Sequence, residues 1–269
     1  MSKVNRLLIS VDVEEFDIPL EFGGQVPLQE QMSVSHDGLM RVLDLFEQYQ
    51  VRATFFVTAY WAQQYPELIR QLAARHEIAS HTYYHSQFEP EHLESSRLAL
   101  QEITGMPVYG FRMPRLKPVS TTALKNAGYL YDASLNPTWL PGRYNNWDKP
   151  RTPFLKNDLW VMPSSVSPLC RYPVFWLSIK NMPGFVTRHF SNTILRKDRM
   201  LACYFHPWEL ADLSGYTLPG YIRRVSGSKM QQRLNGFLQY LQQKGEFCTH
   251  IEWLKENSNH LIEGSSLLV

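Results

Sequence analysis

The chain lacks an excess of charge of either sign. Its 27 Lys and Arg against 25 Asp and Glu leave a formal net charge of +2 over 269 residues. That balance, with no basic stripe interleaved with aromatics, excludes an electrostatic footprint for nucleic acid. Cysteine is scarce. Cys170, Cys203 and Cys248 are odd in number and far apart, which excludes a disulfide framework and a thiolate metal site. Cys203 and Cys248 sit within apolar runs and read as core thiols. Long hydrophobic runs are also missing. The stretch Tyr172–Ile179 is the longest uncharged apolar one and is too short to cross a bilayer. The start, Met1–Arg6, leads straight into a strand-like segment with no apolar signal core, so a cytoplasmic location is expected. Internal repeats, low-complexity tracts and interdomain linkers are absent, and residues 1–269 are read as one domain.

What is present is an ordinary globular composition, 44% hydrophobic and 19% charged, with 13% aromatics and seven Trp. An aromatic excess of this kind suits thick barrel walls or a sugar-binding surface. Apolar runs at Arg6–Val13, Arg52–Ala59, Glu77–Ser80, Val108–Pro114, Tyr129–Leu135, Leu159–Pro163 and Met200–Phe205 read as strands. Between them lie amphipathic helical stretches. One follows an expected N-cap at Ser35, with Leu39, Val42, Leu43 and Phe46 on one face. Others run over Pro66–Arg75, Glu91–Ile103, from Ser120 or Thr121 to Gly128, and over Ser226–Gly245 with Gly245 as C-cap. Glu246–Leu254 closes the series. Regular alternation predicts an α/β fold, a distorted (β/α) barrel of about seven parallel strands with helices outside. Two stretches interrupt it: an aromatic, Pro-rich insertion at about 136–158 and an apolar one at about 168–190.

In such a barrel the active site lies at the C-terminal ends of the strands. Asp12, His81, Arg112, Asp132 and His206 all fall there. His81 and His85 are four residues apart, so a helical turn would put both rings on one face. Position 82 is Thr, which excludes the His-Glu-x-x-His metalloprotease pattern and sends the search for a third ligand elsewhere. Asp12, Glu14 and Glu15, at the end of the first strand, are the obvious suppliers. Taken singly, each residue also has a structural explanation: His206 a core histidine, Arg112 a surface ion-pair partner, Asp132 a turn acid. The aromatic Phe175, Trp176 and Phe185 read as packing, and His36, His76, His92, His189, His250 and His260 as structural or solvated.

Five short motifs, in order along most of the chain from Leu7 to Leu254, resemble the polysaccharide deacetylase family, the NodB-homology domain of carbohydrate esterase family four. His81-Thr82-Tyr83-Tyr84-His85 matches its His-[Ser/Thr]-x-x-His. Arg112-Met113-Pro114 matches Arg-x-Pro, Tyr131-Asp132-Ala133-Ser134 matches the fourth motif loosely, and Tyr204-Phe205-His206 matches hydrophobic-x-His. Ser10-Val11-Asp12-Val13-Glu14 is similar to a variant first motif, Asp-x-[Asp/Glu]. The sequence departs from the pattern in four places. Its second acid is displaced by one residue, Arg115-Leu116 stand where Tyr-Gly is common, the paired tryptophans of motif four are missing, and Tyr204 replaces a pocket-forming Leu.

The resemblance implies metal-assisted hydrolysis of an acetyl group from an acetylated glycan. A divalent ion, zinc by expectation, would be held by Glu14, His81 and His85. Glu14 is preferred to Glu15 because it lies two residues from Asp12, on the same side of an extended chain. Asp12 would be the general base and His206 the general acid. Arg112 would keep Asp12 ionised, and Asp132 would hold the imidazolium of His206. A backbone N–H after Tyr83 or Tyr84 is the candidate oxyanion donor. Tyr84, Trp139, Arg143, Tyr144 and Asn145 are expected to contact substrate, since the 136–158 insertion should overhang the rim. The apolar segment 172–186 is expected to be a subunit contact, forming a homo-oligomer, or a lipid-facing patch. The competing readings are a cyclic-amide hydrolase of the allantoinase-like branch and a non-catalytic carbohydrate-binding relative.

Overall fold

The computed structural model describes residues 4–257; His260 lies outside them. Among the described residues eleven strands form in chain order. These are β1 (Arg6–Val13), β2 (Ala53–Val57), β3 (Glu77–Ser80), β4 (Gly110–Phe111), β5 (Tyr131–Asp132) and β6 (Trp139–Leu140), followed by β7 (Tyr144–Asn145), β8 (Phe154–Lys156), β9 (Leu159–Val161), β10 (Met200–Phe205) and β11 (Glu246–Phe247). The main sheet runs β10-β1-β2-β3-β4-β5-β9-β8, with β11 added beside the lower part of β1. Every pairing in it is parallel except β8 with β9. The sheet curls, and its two flanks meet without a ladder. Ser165, just beyond β9, donates its N–H to the Ala202 carbonyl in β10, and its hydroxyl accepts from the Ala202 N–H, both at 2.8 Å. This curled, parallel-dominated half-barrel is consistent with the distorted (β/α) barrel expected from the alternation.

The strands with continuous apolar runs are the best placed. Leu7, Leu8, Ile9 and Val11 of β1 are buried on both faces, as a parallel strand between helices and barrel interior must be. Alternate residues Leu7, Ile9, Val11 and Val13 join the outer core under the helices, whereas Leu8 faces Phe56, Tyr131 and Met200 inside the barrel. β4 and β5 are two-residue strands, much shorter than the stretches Val108–Pro114 and Tyr129–Leu135 suggested. Strong curl leaves little of either chain in ladder register.

Helices cover the outside, and two expected caps need correction. The first long helix is Leu28–Tyr49, so Ser35 lies in its interior and is not its cap. The extra N-terminal turns form because Gln31 and Met32 are buried there and the Gln31 amide donates to the Val26 carbonyl at 2.8 Å. The long C-terminal helix ends at Gln242 and is capped by Gln243, not Gly245. Gly245 is needed for another reason: a Cβ there would sit 2.4 Å from the Asn5 carbonyl oxygen at the foot of β1. The 136–158 insertion holds the β6–β7 hairpin and β8. The chain after β11 forms a helix, His250–Asn257.

Gly38 of the first helix is positioned by the same kind of constraint. A Cβ there would lie 2.0 Å from the Pro207 carbonyl oxygen. The bare backbone lets this helix press on the turn Pro207–Leu210, and Arg41 adds a 2.6 Å bond to the Leu210 carbonyl. The second insertion folds as helices Trp176–Asn181 and Gly184–Asp198, with Val174, Phe175 and Ile179 buried. Met182 and Phe185 stay exposed. Among the described residues, no helix is long and apolar enough to cross a membrane.

Candidate active site

Four strands of the curled sheet deliver side chains to one site at their C-terminal ends. Asp12 is the penultimate residue of β1, Glu14 directly follows that strand, and β3 leads into His81. β4 leads into Arg112, and β10 into His206. All five residues are buried.

His81 and His85 converge, but not on a helix. The segment from His81 to Pro90 is irregular, and Thr82 takes a left-handed conformation (φ 66°). Its hydroxyl donates to the Tyr84 carbonyl at 2.7 Å, which stabilises the tight turn. The two rings lie 5.8 Å apart, inclined by 24°. Both Nε2 atoms are 3.0 Å from one oxygen, Glu14 Oε2. The three donor atoms lie within 4.8 Å of one another. Glu15 points away and accepts from the Thr58 hydroxyl at 2.7 Å, as alternation along the extended chain requires.

The surroundings fix these donors. His81 Nδ1 donates to the Arg112 carbonyl at 2.8 Å, so in a neutral ring Nε2 carries the lone pair. A lone pair facing a carboxylate oxygen at 3.0 Å repels it unless a cation sits between them. His85 Nδ1 donates to Asp17 at 2.7 Å, and Ser86 also bonds Asp17. Trp208 Nε1 occupies the other Glu14 oxygen at 3.0 Å and leaves Oε2 for the cluster. Ligand rings whose outer nitrogens are tied to a carbonyl and a carboxylate are the usual support of a metal-binding histidine. The residues therefore fit a divalent ion.

Electrostatics agree. Burial pushes the Glu14 carboxyl up, but the charges of His85 and His206 and the hydrogen bond from His85 outweigh it, so Glu14 sits well below the usual carboxylate range. Burial pushes His85 down, and Glu14 and Asp17 overcome this to hold it up at about 10. With no ion bound, His85 is thus the imidazolium that neutralises its acidic neighbours.

Beside the cluster, Arg112 Nη1 donates to Asp12 Oδ1 at 2.5 Å, and its Nε donates to the Ala133 carbonyl at 3.1 Å. The guanidinium lies over the Phe56 ring at 4.0 Å and faces Tyr204 at 4.9 Å. It is locked, as a buried ion pair requires. His206 Nε2 faces Asp12 Oδ2 at 3.9 Å and Glu14 Oε1 at 4.0 Å.

The sequence-based partner of His206 is corrected. Asp132 is bonded by the backbone N–H of Ser134 at 2.9 Å and by the Ser134 hydroxyl. Burial raises Asp132 to about 6, offset in part by those bonds. The carboxylate that holds His206 is Glu209, which accepts from His206 Nδ1 at 3.1 Å and from the His206 N–H at 2.9 Å. Glu209 is wholly buried, and its second oxygen lies 3.4 Å from the ammonium of Lys180, also wholly buried. Lys180 Nζ donates to the Ile222 carbonyl at 2.9 Å. The His206 ring stacks on Trp208 (4.8 Å, 20°) and meets Trp176 edge-on at 5.2 Å. Burial lowers the His206 pKa, but Glu14, Glu209 and Asp12 reverse this and leave it raised.

The sequence held one signal for Glu209, its place three residues after His206 at a turn start, where a carboxylate can reach back to the backbone N–H. Asp17 had no local signal. Its partner His85 is 68 residues away.

Asp12, Glu14, His81, His85 and His206 open into a cavity of about 620 Å³. Arg143 and Tyr144 line it as expected; Trp139, Asn145 and Tyr84 do not. Trp139 is 60% exposed, because β-alternation in the hairpin turns it outward. Tyr84 packs on Tyr83, Tyr60 and His92 instead. Phe175 and Trp176, read from sequence as packing, form part of the wall.

Comparisons with known proteins agree with this architecture. The family model for polysaccharide deacetylase matches residues 31–131. A polysaccharide deacetylase structure from Mycobacterium smegmatis superposes with TM-score 0.62 at 19% identity, covering 95% of this chain and 91% of the other. Another, from Pseudomonas aeruginosa PAO1, gives 0.63 at 19% identity with 94% and 91% covered. The Puue allantoinase structure gives 0.61 at 18% identity, again with 94% and 91% covered. The chain thus has the fold of the polysaccharide deacetylases and matches their family model across β2 to β5.

Proposed function

We propose that this protein is a metal-dependent hydrolase that removes an acetyl group from an amino sugar of a glycan. The observation that carries the reading is the convergence of Glu14, His81 and His85 beside Asp12 and His206. A divalent ion, zinc for this one-carboxylate, two-imidazole donor set, would supply a Lewis acid for the acetyl carbonyl and for water.

The side chains do the rest. Asp12, held in place by the Arg112 guanidinium, takes the proton from the attacking water. His206 donates its Nδ1–H to Glu209, so its Nε2 faces the reacting atoms and hands a proton to the departing amine. Trp176 and Trp208 hold the ring and keep water from it. The polypeptide regains its starting state when the proton taken up by Asp12 replaces the one that His206 gave to the amine.

Acetate release from N-acetylated saccharides by the zinc-loaded protein tests this, alongside Asp12→Asn and His206→Ala. The reading expects loss of turnover in both variants with zinc content retained. Wild-type protein that holds zinc, releases no acetate and opens allantoin would favour the cyclic-amide reading instead. Sugar binding with neither zinc nor turnover would favour a non-catalytic relative.

A further inference from the structure

The rim of the cavity is a closed ring of loops, and from it we infer that substrate enters end-on: the acetylated sugar is a free saccharide or the terminal unit of a chain, not an internal unit of a polymer laid across the barrel. This rests on the deacetylase reading above and narrows its substrate.

Each junction of the ring is held by a specific contact. The loop after β1 crosses the end of β2, where Glu15 takes the Thr58 hydroxyl, and reaches the β3 loop through Asp17, bonded to His85 and Ser86. Arg115, beyond β4, donates to the His85 carbonyl at 3.1 Å and pairs with Asp17 at 3.3 Å. Glu21 then serves two guanidiniums, Arg115 and, at 3.1 Å, Arg143 of the β6–β7 hairpin. The β1 and β5 sides of the mouth are joined across the top in this way. The hairpin is tied to the next insertion by Thr138, whose hydroxyl donates to the Arg171 carbonyl at 2.8 Å. That insertion is tied to the loop after β10 by Lys180 to the Ile222 carbonyl at 2.9 Å and by Asn181 to the Tyr221 carbonyl at 3.0 Å. Ile222 and Ile18 share one buried apolar cluster, which brings the ring back to the β1 loop.

A polymer needs two openings, one for the chain on either side of the reacting sugar. The ring provides one. Its cavity of about 620 Å³ falls among pockets that enclose a single small ligand, ~300–1,000 Å³. The walls favour a sugar over a small cyclic amide. Phe22, Phe175, Trp176, Tyr204 and Tyr221 line them, and aromatic rings suit the apolar faces of a pyranose. A lone ureide would leave most of the volume vacant.

One departure from the family pattern, Arg115-Leu116, falls on this ring. Arg115 and Leu116, at φ 57° and 51°, are held in the left-handed region, which turns Arg115 toward Asp17 and Glu21. Glu21 and Arg143 are partly exposed, so removing them costs the fold little.

The test uses the zinc-loaded full chain with chito-oligosaccharides of one to six units, locating the freed amines by mass spectrometry. p-Nitrophenyl acetate reports the centre independently of the ring. The inference expects a single acetate from each hexamer, lost from a terminal unit. It also expects Glu21→Ala/Arg143→Ala to free internal units, giving several acetates per chain. Internal deacetylation by the wild type, or an unchanged pattern in the double variant, would overturn the ring and leave the deacetylase reading standing. No acetate from any saccharide or from p-nitrophenyl acetate would overturn that reading and the inference with it.

Discussion

Replacing Gly38 with Ala tests how the outer helix sets the position of the chemistry. By propensity alone the change should stabilise, since Ala in a helix interior is favoured over Gly by about 1 kcal/mol. The structure predicts the opposite. The new Cβ would lie 2.0 Å from the Pro207 carbonyl oxygen and 2.5 Å from its carbon. Tolerable carbon–oxygen contacts are ~3.3–3.6 Å, so helix and turn must part by about 1 Å or more. Both groups are backbone, so no rotamer change can relieve the clash. Overpacking of this kind costs about 1–3 kcal/mol and occasionally more; a clash of backbone with no rotamer to relieve it belongs at the upper end, so we expect a net loss of about 2 kcal/mol after the propensity gain. At roughly 2–4 °C per kcal/mol for a chain of this size, Tm should fall by roughly 4–8 °C. The strain should also reach the site, because Pro207 follows His206 directly and Trp208 holds Glu14. Denaturant melts and zinc titrations of the variant measure both effects. An equal or higher midpoint with unchanged zinc affinity would refute the reasoning.

Other perturbations follow from the same geometry. Glu209→Ala strands a buried ammonium at Lys180 and should cost about 3–5 kcal/mol; adding Lys180→Met should recover much of that stability in melts but not turnover, and recovery of both would mean that Glu209 does not position His206. Zinc uptake near pH 7 should release protons, because His85, held at about 10, must give up its proton to become a ligand. Calorimetry in buffers of different ionisation enthalpy reads the release, and an enthalpy independent of buffer would contradict it. Burial holds Glu77 at about 7, above its usual 4.5, despite bonds from the Ile251 N–H, Thr54 and Tyr131. The folded state therefore keeps a proton that the unfolded chain gives up, and this contribution to stability is lost as pH rises from about 4.5 through 7. Melts of Glu77→Gln should lose that slope, and a slope matching the wild type would rule the assignment out.

The pieces legible in the sequence were those decided by local pattern. β1, β3 and β10 match their expected limits because continuous apolar runs ended by acids or histidines leave little choice of boundary. Glu14 over Glu15 followed from strand alternation alone. What stayed hidden was set by contacts between distant segments. Ser35 reads as a helix cap, yet burial of Gln31 and Met32 extends the helix past it. Gly38 and Gly245 carry no local signal, since what they must not touch is another part of the backbone. His81 and His85 suggested a helical face but meet through a left-handed turn at Thr82. Motif likeness pointed to Asp132 as the support of His206, whereas the chain uses Glu209, anchored by a lysine from an insertion that the strand–helix pattern left unexplained. The trio Asp17, Glu21 and Arg115 became visible only once the loops were folded against one another.

The most direct measurement is anomalous diffraction at the zinc edge from crystals grown with zinc. The account predicts one strong peak beside Asp12, at about 2.0–2.2 Å from Glu14 Oε2, His81 Nε2 and His85 Nε2. A site empty at saturating zinc, or a peak bound elsewhere while these three side chains keep their bonds to one another, would contradict it.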